Sequence, residues 1–357
     1  MKRFVSLFIC SLLFNSLFAQ FPGASHIIDS ITKNSNFNGT IIIKKKSGIV
    51  YQKSFGLANF PFKVPNTIKT KYKIASVTKL FTSVLIMQLA EEGKIDVTKH
   101  IIDYLPDYTG EGGNKITIRQ LLNHTSGMPN IDTVKSIESA LKNGIPVYQH
   151  PFTTDELLTR YCSDKPVNEP GKVFDYNNAD YIVLGKIIER IYHKTYDQVL
   201  TEKILKPLHM NNSGLLYQQN IITGLADTYF IRDDLGKLVP DLPVYMENWY
   251  AAGAMYSDAN DLLLFSNALF GRKLLKQASL NEMFAPGLDE YGYGVWVYKD
   301  YTINKKNYTI VKRPGRIMGA QSMLFHILEE DATMLILSNT GTTGLDDLAA
   351  KIATKII

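Results

Sequence analysis

The pattern of the apolar residues changes twice along this chain, and those two changes restrict the fold more than any other feature. Near the start, Thr40–Lys44 and Ile49–Phe55 are short strand-forming runs on either side of a Ser47-Gly48 turn, the pattern of a β hairpin. Then helical spacing takes over. Leu80–Leu89 is one apolar run ending near Gly93, Tyr181–Tyr192 repeats Ile182, Leu184, Ile187, Ile188 and Ile191, and further helices are predicted over Ile116–Asn123, Thr154–Tyr161, Tyr196–Ile204, Asp258–Phe270 and Gln277–Phe284. Residues 210–250 are loop-rich and rich in tyrosine. From Tyr291 the period changes to two in Gly292–Tyr298, Tyr308–Lys312, Ser322–Leu328 and Thr333–Leu337, and Gly344–Thr354 closes the chain as a helix. The expectation is an α+β fold in which one antiparallel sheet is built from both chain ends, about 37–60 and 290–340. Flanking helices and a helical insert of about 76–285 complete it, with a short helix over 25–33 in front.

Residues 1–19 stand apart from this scheme. Lys2 and Arg3 precede the apolar segment Phe4–Leu13, and Ala19 offers a small residue for cleavage. Asn15 interrupts the run, which is too short for the roughly 20 apolar residues of a membrane span. The expectation is an export signal over 1–19, a single folded domain over 20–357, and a periplasmic or secreted location. Cys10 follows the large branched Ile9, which argues against lipoprotein processing. Removal of the leader leaves Cys162 as the one cysteine, so no internal disulfide forms, and a helix-like setting makes it structural. The seven histidines are scattered and no His-Glu-x-x-His or paired Cys-x-x-Cys occurs, so neither a metal nor a cofactor is expected. The net charge of +5 is mild and Lys44-Lys45-Lys46 is its one cluster, which gives no nucleic-acid signal.

The chemistry begins at Ser76-Val77-Thr78-Lys79, at the mouth of the apolar helix. Three residues apart on a helix, the serine hydroxyl and lysine ammonium share a face. A desolvated lysine can lose its proton readily enough to help activate a serine. Tyr176-Asn177-Asn178 follows the Pro170-Gly171 turn and precedes a helix, so its polar side chains can point into a cleft. A phenol beside an ammonium can act as a general base, and an asparagine amide can donate to a substrate carbonyl or hold the lysine. The remaining element is a cleft-lining strand, Tyr308–Lys312, running into Arg313-Pro314-Gly315-Arg316, where glycine permits close backbone approach. His124-Thr125-Ser126-Gly127 reads as a braced turn: His124 and Ser126 are two residues apart and no acidic residue stands near them in sequence.

Ser76-Val77-Thr78-Lys79, Leu121-Leu122-Asn123-His124-Thr125-Ser126-Gly127, Pro170–Asn178, Ile204–Met210 and Gly253–Asp261 occur in that order. Together they resemble the serine hydrolase family of class C β-lactamases, D-alanyl-D-alanine carboxypeptidases and related esterases, over roughly residues 37–357. The resemblance implies a β-lactamase/transpeptidase-like fold. It implies Ser76 as the acylated nucleophile, Lys79 as its proton partner, Tyr176 as general base and Asn178 as substrate ligand, with the backbone N–H groups of Ser76 and Arg316 as the oxyanion hole. One position departs. Where the family usually carries Lys-Thr-Gly or His-x-Gly, this chain has Arg313-Pro314-Gly315. Arginine cannot shuttle protons at neutral pH, and neighbouring Lys312 points to the other face of the strand. Two readings of Arg313 follow: a solvated strand-end residue, or a clamp for a substrate carboxylate beside Gly315.

The expected function is therefore hydrolysis of D-amino-acid peptides or small esters through an acyl-Ser76 ester. The alternatives are a β-lactamase, transfer of the acyl group to an amine or alcohol, or a relative that keeps the cleft as a binding module. The expected partner is a small-molecule or peptide substrate, with neither nucleic acid nor a stable membrane span, and oligomeric state is left open.

Overall fold

The computed structural model describes residues 22–357 except 133 and 135. The expected leader, with Cys10, lies outside the described residues. Six strands form the main sheet: β1 (Gly39–Lys45), β2 (Gly48–Phe55), β3 (Trp296–Ile303), β4 (Lys306–Ile317), β5 (Ala320–Ile327) and β6 (Ala332–Ser338). Their spatial order is β3-β4-β5-β6-β1-β2, antiparallel throughout, so the two chain ends meet where β1 pairs with β6. Ile41 lies opposite Ile336 and Ile43 opposite Met334 in that pairing.

Alternation along the strands divides the sheet between two cores. Ile41, Ile43, Ile310, Met323, Phe325, Met334 and Ile336 face α1 (Pro22–Asn34) and the C-terminal helix. Ile42, Val297, Val311, Ile317, Leu324, Leu335 and Leu337 face the helical half. Arg313 and Gly315 share parity with Val311 and Ile317, so they belong to the second face, where the site lies. Lys312 goes the other way and pairs with Asp346 at 2.6 Å, as its alternation requires.

The helical half is organised around α2 (Thr78–Glu91). It carries Leu80, Phe81, Val84, Leu85, Ile86 and Leu89 with no exposed surface, each worth about 1.5–3 kcal/mol when fully buried. Phe81 stacks on Phe265 with centroids 3.8 Å apart. Downstream come α3 (Ile118–Leu122), α4 (Asn178–Tyr192), α5 (Ala259–Phe270) and the closing α6 (Leu345–Ile356). Thr117 caps α3 with a reciprocal Gln120 contact, Asn177 caps α4 and Asp258 caps α5, which places each start within a residue or two of its polar signal. Among the described residues no helix is long and apolar enough to cross a membrane.

Three expectations need correction. The strand predicted over Gly292–Tyr298 starts only at Trp296, because Gly292 N–H bonds back to Val295 O and Gly294 adopts φ +77°, forming a turn. The segment 210–250 holds more structure than its composition announces: a hairpin of Tyr229–Arg232 with Lys237–Pro240 and a turn of 3-10 helix over Met246–Trp249. A small sheet was also not foreseen, in which Met255–Ser257 lies between Tyr72–Lys73 and Gly214–Leu215. Its strands are two or three residues long, too short for alternation to register.

Candidate active site

Ser76 occupies a 3-10 turn, Ala75–Val77, that leads into α2. The preceding Ala75 has φ +47°, a left-handed conformation that costs a non-glycine residue about 1–3 kcal/mol. Neighbouring elements hold it there. Ile74 N–H donates to Met255 O at 3.0 Å. The Ser322 hydroxyl donates to Ile74 O at 2.6 Å and the Thr78 hydroxyl to Ala75 O at 2.7 Å. The turn therefore lifts the Ser76 side chain out of the buried helix start while its flanks remain locked.

Lys79 lies one turn on and is wholly buried. Its Nζ donates to Asn178 Oδ1 at 2.6 Å, to Ala252 O at 2.9 Å and to Ser76 Oγ at 3.2 Å. Burial pulls the ammonium below its usual pKa, Arg313 adds to that, and Tyr176 opposes it. The lysine is thus a hydrogen-bonded neighbour of the serine with a weakened hold on its proton.

Tyr176 reaches the same point from the loop before α4. The Lys79 ammonium sits 4.8 Å from its ring centroid. Tyr176 is half-buried, and the loss of water around its phenol by itself raises the pKa; the Arg313 guanidinium and the Lys79 ammonium outweigh that and bring it below the usual range. The loop is fixed by the turn His124–Gly127, since Asp175 N–H donates to His124 O at 2.9 Å and Gly171 N–H to Thr125 O at 2.7 Å. Ser126 Oγ accepts from Met128 N–H at 3.1 Å, an ordinary turn contact. His124, however, does have an acidic partner. Asp180, on the first turn of α4, brings Oδ2 to 2.7 Å from His124 Nδ1, with both side chains fully buried. Burial holds the His124 imidazolium well below its usual pKa and the Asp180 carboxyl well above its own. The His124 ring packs 4.4 Å from the Tyr176 ring and supports it from behind.

Asn178 is the first residue of α4, and its amide is engaged on both sides. Oδ1 takes the lysine, while Nδ2 donates to Asp132 Oδ2 at 2.7 Å and to Tyr148 Oη at 3.4 Å. Tyr148 in turn donates to Asp132 Oδ1 at 2.6 Å and stacks on Trp249 at 3.5 Å. Of the two roles expected for Asn178, holding the lysine is the one seen.

Arg313 is not a solvated strand-end residue. It has no exposed surface, because its position on β4 faces the helical core. Nε donates to Ser76 O at 2.7 Å, Nη1 to Tyr291 Oη at 2.7 Å and Nη2 to the Tyr176 phenolic oxygen. Tyr291 is itself fully buried. The guanidinium fork thus closes on protein acceptors rather than opening toward a substrate carboxylate. Past Lys312 the strand β3 has ended, so β4 pairs only with β5 there, and Pro314 sits on a local edge that tolerates its missing N–H. Gly315 presses against the serine turn: a Cβ at this position would lie 2.4 Å from Ile74 O, 2.5 Å from Ser322 Oγ and 3.0 Å from Ser76 N. Arg316, next along the same edge, has an exposed side chain.

The structure brings Ser76, Lys79, Tyr176, Asn178, Arg313 and Gly315 into one cluster. Sequence reading missed Asp132, Tyr148, Asp180 and Tyr291. Asp180 carried a signal, lying one helical turn beyond Tyr176; Tyr291 marks only the return of the strand period. Cys162 is buried at the end of the Thr154–Tyr161 helix, and burial pushes its thiol pKa up, away from reactivity. Among the described residues no three His, Cys, Asp or Glu side chains converge to hold a metal.

Comparison with known proteins matches residues 20–356 to the family model Beta-lactamase. A Bacillus subtilis (strain 168) protein named as a penicillin-binding protein, PbpX, is 30% identical over 273 residues, covering 76% of this chain and 64% of that one. Protein flp of Staphylococcus aureus is 34% identical over 193 residues, 53% of this chain and 37% of its own. This chain thus spans about two thirds or less of the length of these relatives. The crystal structure of a penicillin binding protein from Bacillus halodurans superposes with a TM-score of 0.76 at 26% identity, over 91% of this chain and 98% of that one. The chain belongs to the Beta-lactamase family, and its cleft has the arrangement of a serine hydrolase.

Proposed function

We propose that this protein is an exported serine hydrolase that cleaves D-amino-acid peptides or small esters through an acyl-Ser76 intermediate. The observation that carries the reading is a buried lysine 3.2 Å from Ser76 Oγ whose ammonium also lies 4.8 Å from the ring of Tyr176, a phenol held below its usual pKa. Those groups can take the serine proton as Oγ attacks the substrate carbonyl. The electron pair moves onto the carbonyl oxygen, which the backbone N–H groups of Ser76 and Arg316 would stabilise across the narrow gap that Gly315 leaves. Collapse expels the leaving amine or alcohol, which takes up the proton. Water then attacks the acyl ester by the same route in reverse, releasing the carboxylic acid and restoring Ser76.

The substrate class rests on the family and on the name of its Bacillus subtilis relative; export rests on the leader-like residues 1–19. β-Lactamase activity is the second reading within the same chemistry. The binding-module reading loses its main support, since Arg313 is tied to the serine turn and the phenol rather than standing in the cleft.

Intact-mass analysis after incubation with a penicillin or a fluorescent phosphonate tests the chemistry. One adduct is expected on wild type, mapped to Ser76, and none on Ser76→Ala, which keeps a cooperative melt. An adduct on Ser126, or equal labelling of both proteins, overturns the assignment. A panel of D-alanyl peptides, short p-nitrophenyl esters and cephalosporins then ranks the substrates.

A further inference from the structure

Resting on the acyl-serine reading, we propose that Asp132 determines specificity: its carboxylate receives an ammonium group carried on the side chain of the substrate's acyl portion.

The starting point is what Asn178 has left to offer. A side-chain amide has one oxygen acceptor and two N–H donors. Here Oδ1 holds Lys79 Nζ at 2.6 Å, while Nδ2 donates to Asp132 Oδ2 at 2.7 Å and to Tyr148 Oη at 3.4 Å. Neither donor remains for the carbonyl of an acylamino substituent. The next polar group along this wall is the Asp132 carboxylate, which only accepts. A group that docks here must therefore donate.

Asp132 is firmly placed and still has capacity. Its Oδ1 accepts from Tyr148 Oη at 2.6 Å, and its backbone N–H donates to Asn130 Oδ1 at 2.9 Å. Asn130 Nδ2 in turn donates to Tyr176 O at 2.9 Å, and Tyr148 is stacked on Trp249. The carboxylate is thus registered to the loop of Tyr176 and to Asn178 together. A carboxylate offers roughly four lone-pair sites, more than the Tyr148 and Asn178 bonds use, and Asp132 is half-buried rather than sealed. Both of those donors are neutral. A charged donor makes the stronger hydrogen bond, so the remaining sites favour an ammonium.

Position selects which ammonium. An α-ammonium lies one carbon from the carbonyl that Ser76 attacks. It would sit beside Lys79 Nζ, itself 3.2 Å from Ser76 Oγ, where like charges repel. Lys79 and the Asn178 amide stand between Ser76 and Asp132, so a group that reaches the carboxylate extends past both. Asp132 and Tyr148 also line a cavity of about 270 Å³, with Ile131, Ile145, Pro146 and Val147 among its other walls. Apolar walls with one convergent polar group suit methylenes that end in a charge. An aminoalkyl side chain meets both conditions.

Three D-lysine p-nitroanilides test this: one acetylated on both amines, one with only the ε-amine free, and one with only the α-amine free. In wild type the free ε-amine should raise kcat/KM over the diacetylated compound about tenfold or more, mostly through KM, the worth of one charge-assisted contact. Asp132→Asn should bring that ratio close to one. Asp132→Glu, which keeps the charge, should retain part of it. The ratio is the readout because either substitution also disturbs Asn178 and slows all three substrates alike. A wild-type ratio near one, a preference for the free α-amine alone, or an undiminished ratio in Asp132→Asn overturns the proposal. Calorimetric titration of Ser76→Ala with the same compounds reads the selectivity without turnover. Labelling of Ser76 by an acylating probe with no ε-amine preference defeats this proposal alone. An ε-amine preference in binding, in a protein that no acylating probe labels, defeats the hydrolase reading alone.

Discussion

Asn178 Oδ1 accepts from Lys79 Nζ at 2.6 Å while Asn178 Nδ2 donates to Asp132 Oδ2 at 2.7 Å. The amide cannot reverse without placing its NH₂ against an ammonium and its oxygen against a carboxylate, so the flanking charges fix its orientation. It is a link that holds the lysine beside Ser76. Asn178→Ala removes one hydrogen bond to a charged group, worth about 1.5–3 kcal/mol or roughly 10–150-fold in rate. The expected result in stopped-flow acylation is a loss of that size in kcat with a smaller change in KM. Unchanged acylation would mean that Ala252 O and Ser76 Oγ alone suffice to hold the ammonium.

Tyr176→Phe should slow acylation by about 10²–10⁴-fold, the usual worth of a positioned general base. It also leaves a buried Arg313 donor without its acceptor, and an unsatisfied buried donor costs about 1–3 kcal/mol. The variant is therefore expected to lose stability as well as activity, in contrast to Ser76→Ala. Denaturant melts of the two variants side by side check this; equal stabilities would show that Arg313 finds another acceptor.

Gly315→Ala tests the gap between strand and serine turn. Its methyl would lie 2.4 Å from the Ile74 carbonyl, 2.5 Å from Ser322 Oγ and 3.0 Å from Ser76 N, two of these being backbone atoms that cannot step aside. The Ile74–Ser76 segment would have to move, which spoils both the Ser322 bond to Ile74 O and the approach of the Ser76 N–H to a developing oxyanion. A loss of about 10²–10³-fold in kcat, the worth of one oxyanion donor, should accompany a lower melting temperature. Activity within a few-fold of wild type would exclude this edge as one wall of the oxyanion site.

How far the sequence carried this picture depends on the range of the interaction. The hairpin and the late strands are encoded within a few residues of where they act, and their local pattern exposed them; the caps at Thr117, Asn177 and Asp258 are equally local. Ser76 and Lys79 were legible for the same reason, as was Lys312 turning away from the cleft. Arg313 was not. Alternation put it on the cleft face, opposite to Lys312, but the two readings of it were a solvated residue and a clamp for a substrate carboxylate; its complete burial against Ser76 O, Tyr291 and Tyr176 is set by residues far away in sequence. Asp180 and Asp132 act across 56 and 46 residues of sequence, on His124 and Asn178 respectively, and such pairings leave no local pattern. The turn at Gly292–Val295 defeated the strand period because its one stabilising bond and one left-handed glycine are conformational facts, silent in hydrophobicity.

A last expectation concerns acid stability and lies away from the cleft. His326, on β5, is buried, stacks on Phe270 at 3.5 Å, and places Nδ1 2.8 Å from Thr333 Oγ1. Burial lowers its pKa from 6.5 to about 3; nearby Asp331 opposes the change and Lys44 adds to it. The folded state therefore prefers the neutral ring. Between pH 6.5 and about 3 the unfolded chain binds a proton that the folded chain refuses, so stability falls as pH falls across that window and His326 adds no slope above it. Each pH unit inside the window costs up to about 1.4 kcal/mol. His326→Gln keeps a polar group for Thr333 and cannot titrate. Its unfolding free energy, measured in urea from pH 7 to pH 4, should decline less steeply than that of wild type by up to that amount per unit. Parallel slopes would mean that the ring accepts its proton in the folded state, and that the stack on Phe270 opens to let water reach it.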